Sequence, residues 1–161
     1  MGKQRTNAVM LASTLALLLF AQNVFAEAAK FGKAEFMPPK VEGSKNKKGG
    51  DPVKGVLSFD RETKTMLFVD EKGTTLVSVP YDKIKHLLYE KTSRPRYAEA
   101  ILISPLFLFS KTKKHFLTIQ YTNPAGDGQF VMIHMDKSNA RDIVAEAEAQ
   151  TGQKVDTSEE R

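Results

Sequence analysis

The feature that most restricts this chain is a change in the period of its apolar residues. Between residues 56 and 135 they come in short runs separated by turn chemistry, and after Asp136 they recur at helical spacing. Residues 56–59 and 66–69 flank Asp60-Arg61-Glu62-Thr63-Lys64, a hairpin-sized connection, and Glu71-Lys72-Gly73 leads into residues 75–79. Pro80 has no N–H for a ladder bond and ends that run, after which Tyr81-Asp82-Lys83 turns the chain into residues 84–90. The plainest hairpin joins residues 116–121 to 129–135 across Asn123-Pro124-Ala125-Gly126-Asp127-Gly128. With Tyr121 opposite Gln129, this register predicts His134 across from Phe116 and His115 across from Met135, so the two imidazoles point to opposite faces.

Beyond Asp136, Ala140, Ile143, Val144, Ala147 and Thr151 fall on one stripe of a helix, with Arg141, Asp142, Glu146, Glu148 and Gln150 elsewhere. Ser138 or Asp136 can cap its start, and Gly152 stands where a left-handed C-terminal residue is wanted. Residues 153–161 read as a polar tail. Residues 27–52, dominated by Ala, Lys, Gly, Pro, Ser and Glu, hold too little apolar surface to offset their ordering entropy and read as a disordered basic leader with Lys45, Lys47 and Lys48.

The first 26 residues have the parts of an export signal: basic Lys3 and Arg5, an apolar stretch over residues 8–20, and small residues around Ala26. Cleavage after Ala26 is the expectation, because a membrane span needs ~20 apolar residues and this stretch soon meets Gln22 and Asn23. The destination is periplasmic or extracellular. The chain has no cysteine, so burial of aliphatic and aromatic side chains alone must stabilise it. A net charge of +5, less Lys3 and Arg5 after cleavage, is too mild to imply a nucleic-acid partner.

Short strands followed by one amphipathic helix, over residues 53–152, resemble the pleckstrin-homology-like family, including its bacterial and GRAM-like forms. The segment Val77-Ser78-Val79-Pro80-Tyr81-Asp82-Lys83-Ile84 is similar to the third-to-fourth strand transition of such domains. The resemblance implies a mainly β fold, a two-sheet β-barrel or sandwich of about seven antiparallel strands capped by an α-helix. Lipocalin-like and other small barrels share the pattern. In the family, basic residues around the first hairpin hold lipid headgroups. Here Lys54, Arg61 and Lys64 are interleaved with Asp60 and Glu62, so that role is not carried over.

Residues 101–109, Ile-Leu-Ile-Ser-Pro-Leu-Phe-Leu-Phe, run into Ser110-Lys111-Thr112-Lys113-Lys114. Such a run is too short to span a bilayer and long enough to enter its interface. It has two readings, a buried strand or an exposed docking segment, and the small size of the domain argues for the first. Arg94-Pro95-Arg96-Tyr97 precedes it, and paired guanidinium groups there suit a carboxylate or phosphate. The candidate binding residues are therefore Arg94, Arg96, Phe107, Phe109, Lys111, Lys113 and Lys114. His86, His115 and His134 do not make a zinc set, and no catalytic residue, metal or cofactor is implied by any motif. The expectation is an exported, non-enzymatic binding module for a protein partner or an anionic lipid surface. The alternatives are an enzyme with an unrecognised small-molecule pocket and a structural oligomer subunit.

Overall fold

The computed structural model describes residues 28–39, 51–98 and 112–159. Eight strands form one sheet: β1 (Ala29–Met37), β2 (Val53–Asp60), β3 (Thr65–Asp70), β4 (Thr75–Pro80), β5 (Ile84–Thr92), β6 (Lys114–Thr122), β7 (Gly128–Met135) and β8 (Val155–Glu159). A 3-10 turn, Tyr81–Lys83, links β4 to β5, and helix α1 (Ala140–Thr151) lies between β7 and β8. The strand order is β4-β3-β2-β1-β7-β6-β5-β8. The fold is thus mainly β with one helix near the C-terminus, as expected. Among the described residues the sheet is open, with edges at β4 and β8, and does not close into a barrel.

Local chemistry explains the turns. Asp60 Oδ1 accepts the N–H of Glu62 (2.9 Å) and of Thr63 (3.1 Å), folding the β2–β3 connection around one carboxylate. Those backbone bonds, Thr63 foremost, hold the Asp60 carboxyl below its ordinary pKa. Asp70 does the same at the next turn, accepting from Lys72 (2.9 Å) and Thr74 (2.7 Å). The β6–β7 hairpin has the expected register: Tyr121 faces Gln129, Phe116 faces His134, and His115 faces Met135.

Two stretches differ from the sequence expectation. Residues 29–37, assigned above to a disordered leader, form β1, which sits in the middle of the sheet between β2 and β7. Its apolar alternation is broken by a bulge at Gly32-Lys33, where Lys33 adopts φ 53°, so Phe31, Ala34 and Phe36 do not fall on a simple period of two. Packing reveals them: Phe31 meets the Phe59 ring edge-on at 6.2 Å, and Phe36 lies 5.9 Å from Phe68. Residues 155–159, assigned to a polar tail, form β8, parallel to β5. Val155 is its one core residue; the rest is held by the ladder that the β5 edge offers.

The main core gathers Leu57, Phe59, Met66, Phe68, Leu87, Leu117, Ile119 and Ile133 from both halves of the sheet, together with Ala140, Ile143 and Ala147 of the helix. Burial of this one face supplies the stabilisation that a cysteine-free chain needs. The helical stripe predicted from spacing is the face that packs. Its start is organised by Asp136, which accepts from the Ser138 N–H at 2.9 Å and from the Ser138 hydroxyl, while Asn139, at the cap position, sends its amide to the Gly32 carbonyl at 2.6 Å. Gly152 closes the other end with φ 67° and its N–H on the Glu148 carbonyl. A smaller cluster, Met37, Phe116 and Met132, occupies the opposite face of β1, β7 and β6, with Tyr97, Ala98 and Phe130 packed against it.

Candidate functional site

The β5–β6 ladder pairs Thr92 with Lys114, which brings together the two ends of the long connection between these strands. Arg94 is held there by Thr92, whose hydroxyl oxygen accepts the Arg94 N–H at 3.0 Å. Arg94, Arg96 and Lys113 are exposed, and Lys114 is partly buried. Four of the candidate cations therefore share one end of the sheet. Phe107, Phe109 and Lys111, with the rest of residues 99–111, lie outside the described residues.

The Arg94-Pro95-Arg96-Tyr97 segment folds back on the outer face of the sheet. The Glu90 carboxylate, only 3 % exposed, accepts the Arg96 N–H at 3.2 Å and lies 3.6 Å from the Arg96 guanidinium. Arg96 Nη2 also reaches Ser158 Oγ at 3.5 Å. The carboxylate that the paired arginines suggested is thus supplied by the chain itself. The Tyr97 ring lies 5.3 Å from that of Phe130, tilted by 34°, and its hydroxyl accepts from the Gln120 side chain.

Beside Lys114, Glu35, His134, Phe116 and Glu90 form a cross-strand row over β1, β7, β6 and β5. His134 Nδ1 is 2.9 Å from Glu35 Oε2, and its ring lies 5.5 Å from that of Phe116. Burial is the largest influence on His134 and, with the Lys114 charge, lowers its pKa against the Glu35 hydrogen bond and the charges of Glu35 and Asp136. Lys114 is likewise lowered by burial, with Glu35 opposing. Glu35 and His134 of this row line a cleft of about 390 Å³ together with Lys33, Ala34, Lys54, Gly55, Glu71 and Asp136. It holds both signs of charge, with Lys33 and Lys54 facing Glu35, Glu71 and Asp136 in one lining.

A second cleft, of about 430 Å³, lies at the opposite end of β5. It is lined by Arg61, Lys64, Tyr81, Asp82, Ile84, Lys85, Gln150, Thr151 and Gln153. The Tyr81 hydroxyl is buried without a hydrogen-bond partner, and burial, then the charges of Asp60 and Glu146, push its pKa up to about 12.

The three histidines have separate partners: His86 with Asp156 (2.7 Å), His115 with the Tyr89 hydroxyl (2.7 Å), and His134 with Glu35. Among the described residues no three His, Asp or Glu side chains converge as metal ligands would, and no helix is long and apolar enough to cross a membrane. Sequence reasoning missed Glu35, because β1 was read as leader, and Glu90, because its partner comes from a loop that returns to it. No known family profile matches the chain, and a comparison with curated protein sequences finds none similar to it.

Proposed function

We propose that the chain is an exported, non-enzymatic binding module of pleckstrin-homology-like architecture that docks on an anionic membrane surface. The architectural reading is supported by a four-strand meander, β1 to β4, and a three-strand meander, β5 to β7, joined at β1–β7 and packed on one helix. The docking reading rests on the Thr92–Lys114 pair. It sets Arg94 at one end of a connection and Lys113 and Lys114 at the other, with Arg96 held by Glu90, so cations flank the sequence Ile-Leu-Ile-Ser-Pro-Leu-Phe-Leu-Phe at residues 101–109. Basic residues beside an apolar run attract lipid phosphates while the run enters the interface. Export follows from Lys3, Arg5, the apolar residues 8–20 and Ala26.

Flotation with vesicles of anionic and of neutral lipid tests the docking. The parent protein rises with anionic vesicles and stays at the bottom with neutral ones, and Phe107→Asp with Phe109→Asp abolishes flotation while the circular dichroism spectrum is kept. Equal flotation of a folded variant and its parent removes the membrane reading. N-terminal sequencing of the exported form is expected to begin at Glu27.

A further inference from the structure

The cleft at the start of β5 has a charge pattern that the sequence conceals. Read linearly, Asp60-Arg61-Glu62-Thr63-Lys64 is close to neutral. In three dimensions its bases line the cleft and its acids do not, although the Asp60 charge still acts on Tyr81. The Asp60 carboxylate turns into its own loop to accept two backbone N–H groups, and neither it nor Glu62 lines the cleft. Arg61 and Lys64 do line it, and Lys85 joins them from β5. The one acid in the lining is Asp82, which lies 3.4 Å from the neighbouring Lys83.

These cations are not consumed by the fold. Arg61 gives one nitrogen, Nη2, to Glu146 at 3.1 Å, and its guanidinium fork keeps further N–H groups. Lys64 and Lys85 are exposed and have no carboxylate partner among the described residues. Gln153 adds an amide group to the wall, and Gln150 gives one amide N–H to Glu146 at 2.8 Å and keeps the other. Tyr81, only 8 % exposed, belongs to the same lining and has a hydroxyl with nothing to bond.

We propose that this cleft binds a small soluble molecule through a multiply charged oxyanion group. Arg61, Lys64 and Lys85 neutralise the charge, and the Gln153 amide, with the N–H that Gln150 does not give to Glu146, donates to its oxygens. The site lies between the β2–β3 turn, the 3-10 turn and the end of α1. Because β1 precedes β2, this turn is not the first hairpin, where the family resemblance puts lipid headgroups. It is also at the far end of β5 from Thr92, so the ligand and the docking surface are separate.

Titration of the full chain with inorganic phosphate at constant ionic strength, followed by amide NMR signals, tests the proposal. Saturable shifts are expected at Lys85, Gln150 and Gln153 and not at Arg94 or Lys113. Lys64→Gln with Lys85→Gln, both surface changes, is expected to weaken binding by about tenfold or more. A parallel titration with succinate separates phosphoryl from carboxylate recognition: whichever saturates at lower concentration names the group. The double-lysine variant is expected to float with anionic vesicles as the parent does, so failure here is distinguishable from failure of the docking reading. If neither anion produces saturable shifts at these three residues, or if the double-lysine variant titrates like the parent, the proposal is overturned.

Discussion

Glu35 and His134 face each other across β1 and β7, with carboxylate and imidazole 2.9 Å apart on a partly buried face. The pair ties a strand that composition alone hides to one of the most legible strands in the chain. It also makes stability depend on pH. Burial depresses the His134 pKa below its ordinary 6.5, so below that value the unfolded chain takes up the proton more readily than the folded one. The stabilisation is therefore present at neutral pH and lost as pH falls through 6.5 toward the lower folded value. His134→Gln keeps a hydrogen-bonding side chain beside Glu35 and removes the titration. Denaturant melts from neutral pH to about 5 are expected to show the parent losing more stability than the variant. Parallel curves would mean that His134 titrates as it does in the unfolded chain.

Gly55 pairs with Ala34 on one side and Asp70 on the other, and the Phe68 ring lies over it. A Cβ there would strike the Val69 carbonyl oxygen and the Phe68 ring, at 2.8 Å from its nearest ring carbon. Since backbone must shift to admit it, Gly55→Ala is expected to cost about 1–3 kcal/mol. Chemical denaturation measures this directly, and an unchanged midpoint would show that the β2–β3 approach is looser than described.

Glu90 is a buried carboxylate that serves the Arg96 N–H and guanidinium. Replacing it by Ala removes the acceptor for the Arg96 amide and is expected to cost about 1–3 kcal/mol. Hydrogen exchange should accelerate at Arg96 while amides of β6 and β7 keep their protection. Exchange at Arg96 matching the parent would show that Tyr97 and its Phe130 contact hold the segment without Glu90.

The legible parts of this chain are those where period and turn chemistry agree. The β6–β7 register, the β2–β3 hairpin around Asp60 and the packed face of α1 follow from alternation, from one carboxylate and from a stripe of small aliphatic residues. The central strand β1 was not legible, because Lys33 in a left-handed conformation shifts Phe31 out of phase with Ala34 and Phe36. Strand β8 was not legible either, since one valine among polar residues carries no strand signal until β5 offers its edge. At the sites the same limit applies. Charges adjacent in sequence take different partners, Asp60 the N–H groups of its own turn and Arg61 the carboxylate of Glu146, and Glu90 meets Arg96 only because the loop returns.

The central claim, docking through the end of the sheet that carries Arg94 and Lys113, is tested most directly by partition onto vesicles of increasing anionic lipid content. Each cation near such a surface contributes about 1 kcal/mol, so Arg94→Gln with Lys113→Gln is expected to lower the partition coefficient by about 30-fold at moderate salt. That loss should shrink as salt screens the surface. A parent protein that partitions no better onto anionic than onto neutral vesicles, or a double variant that partitions as the parent does, would contradict the account.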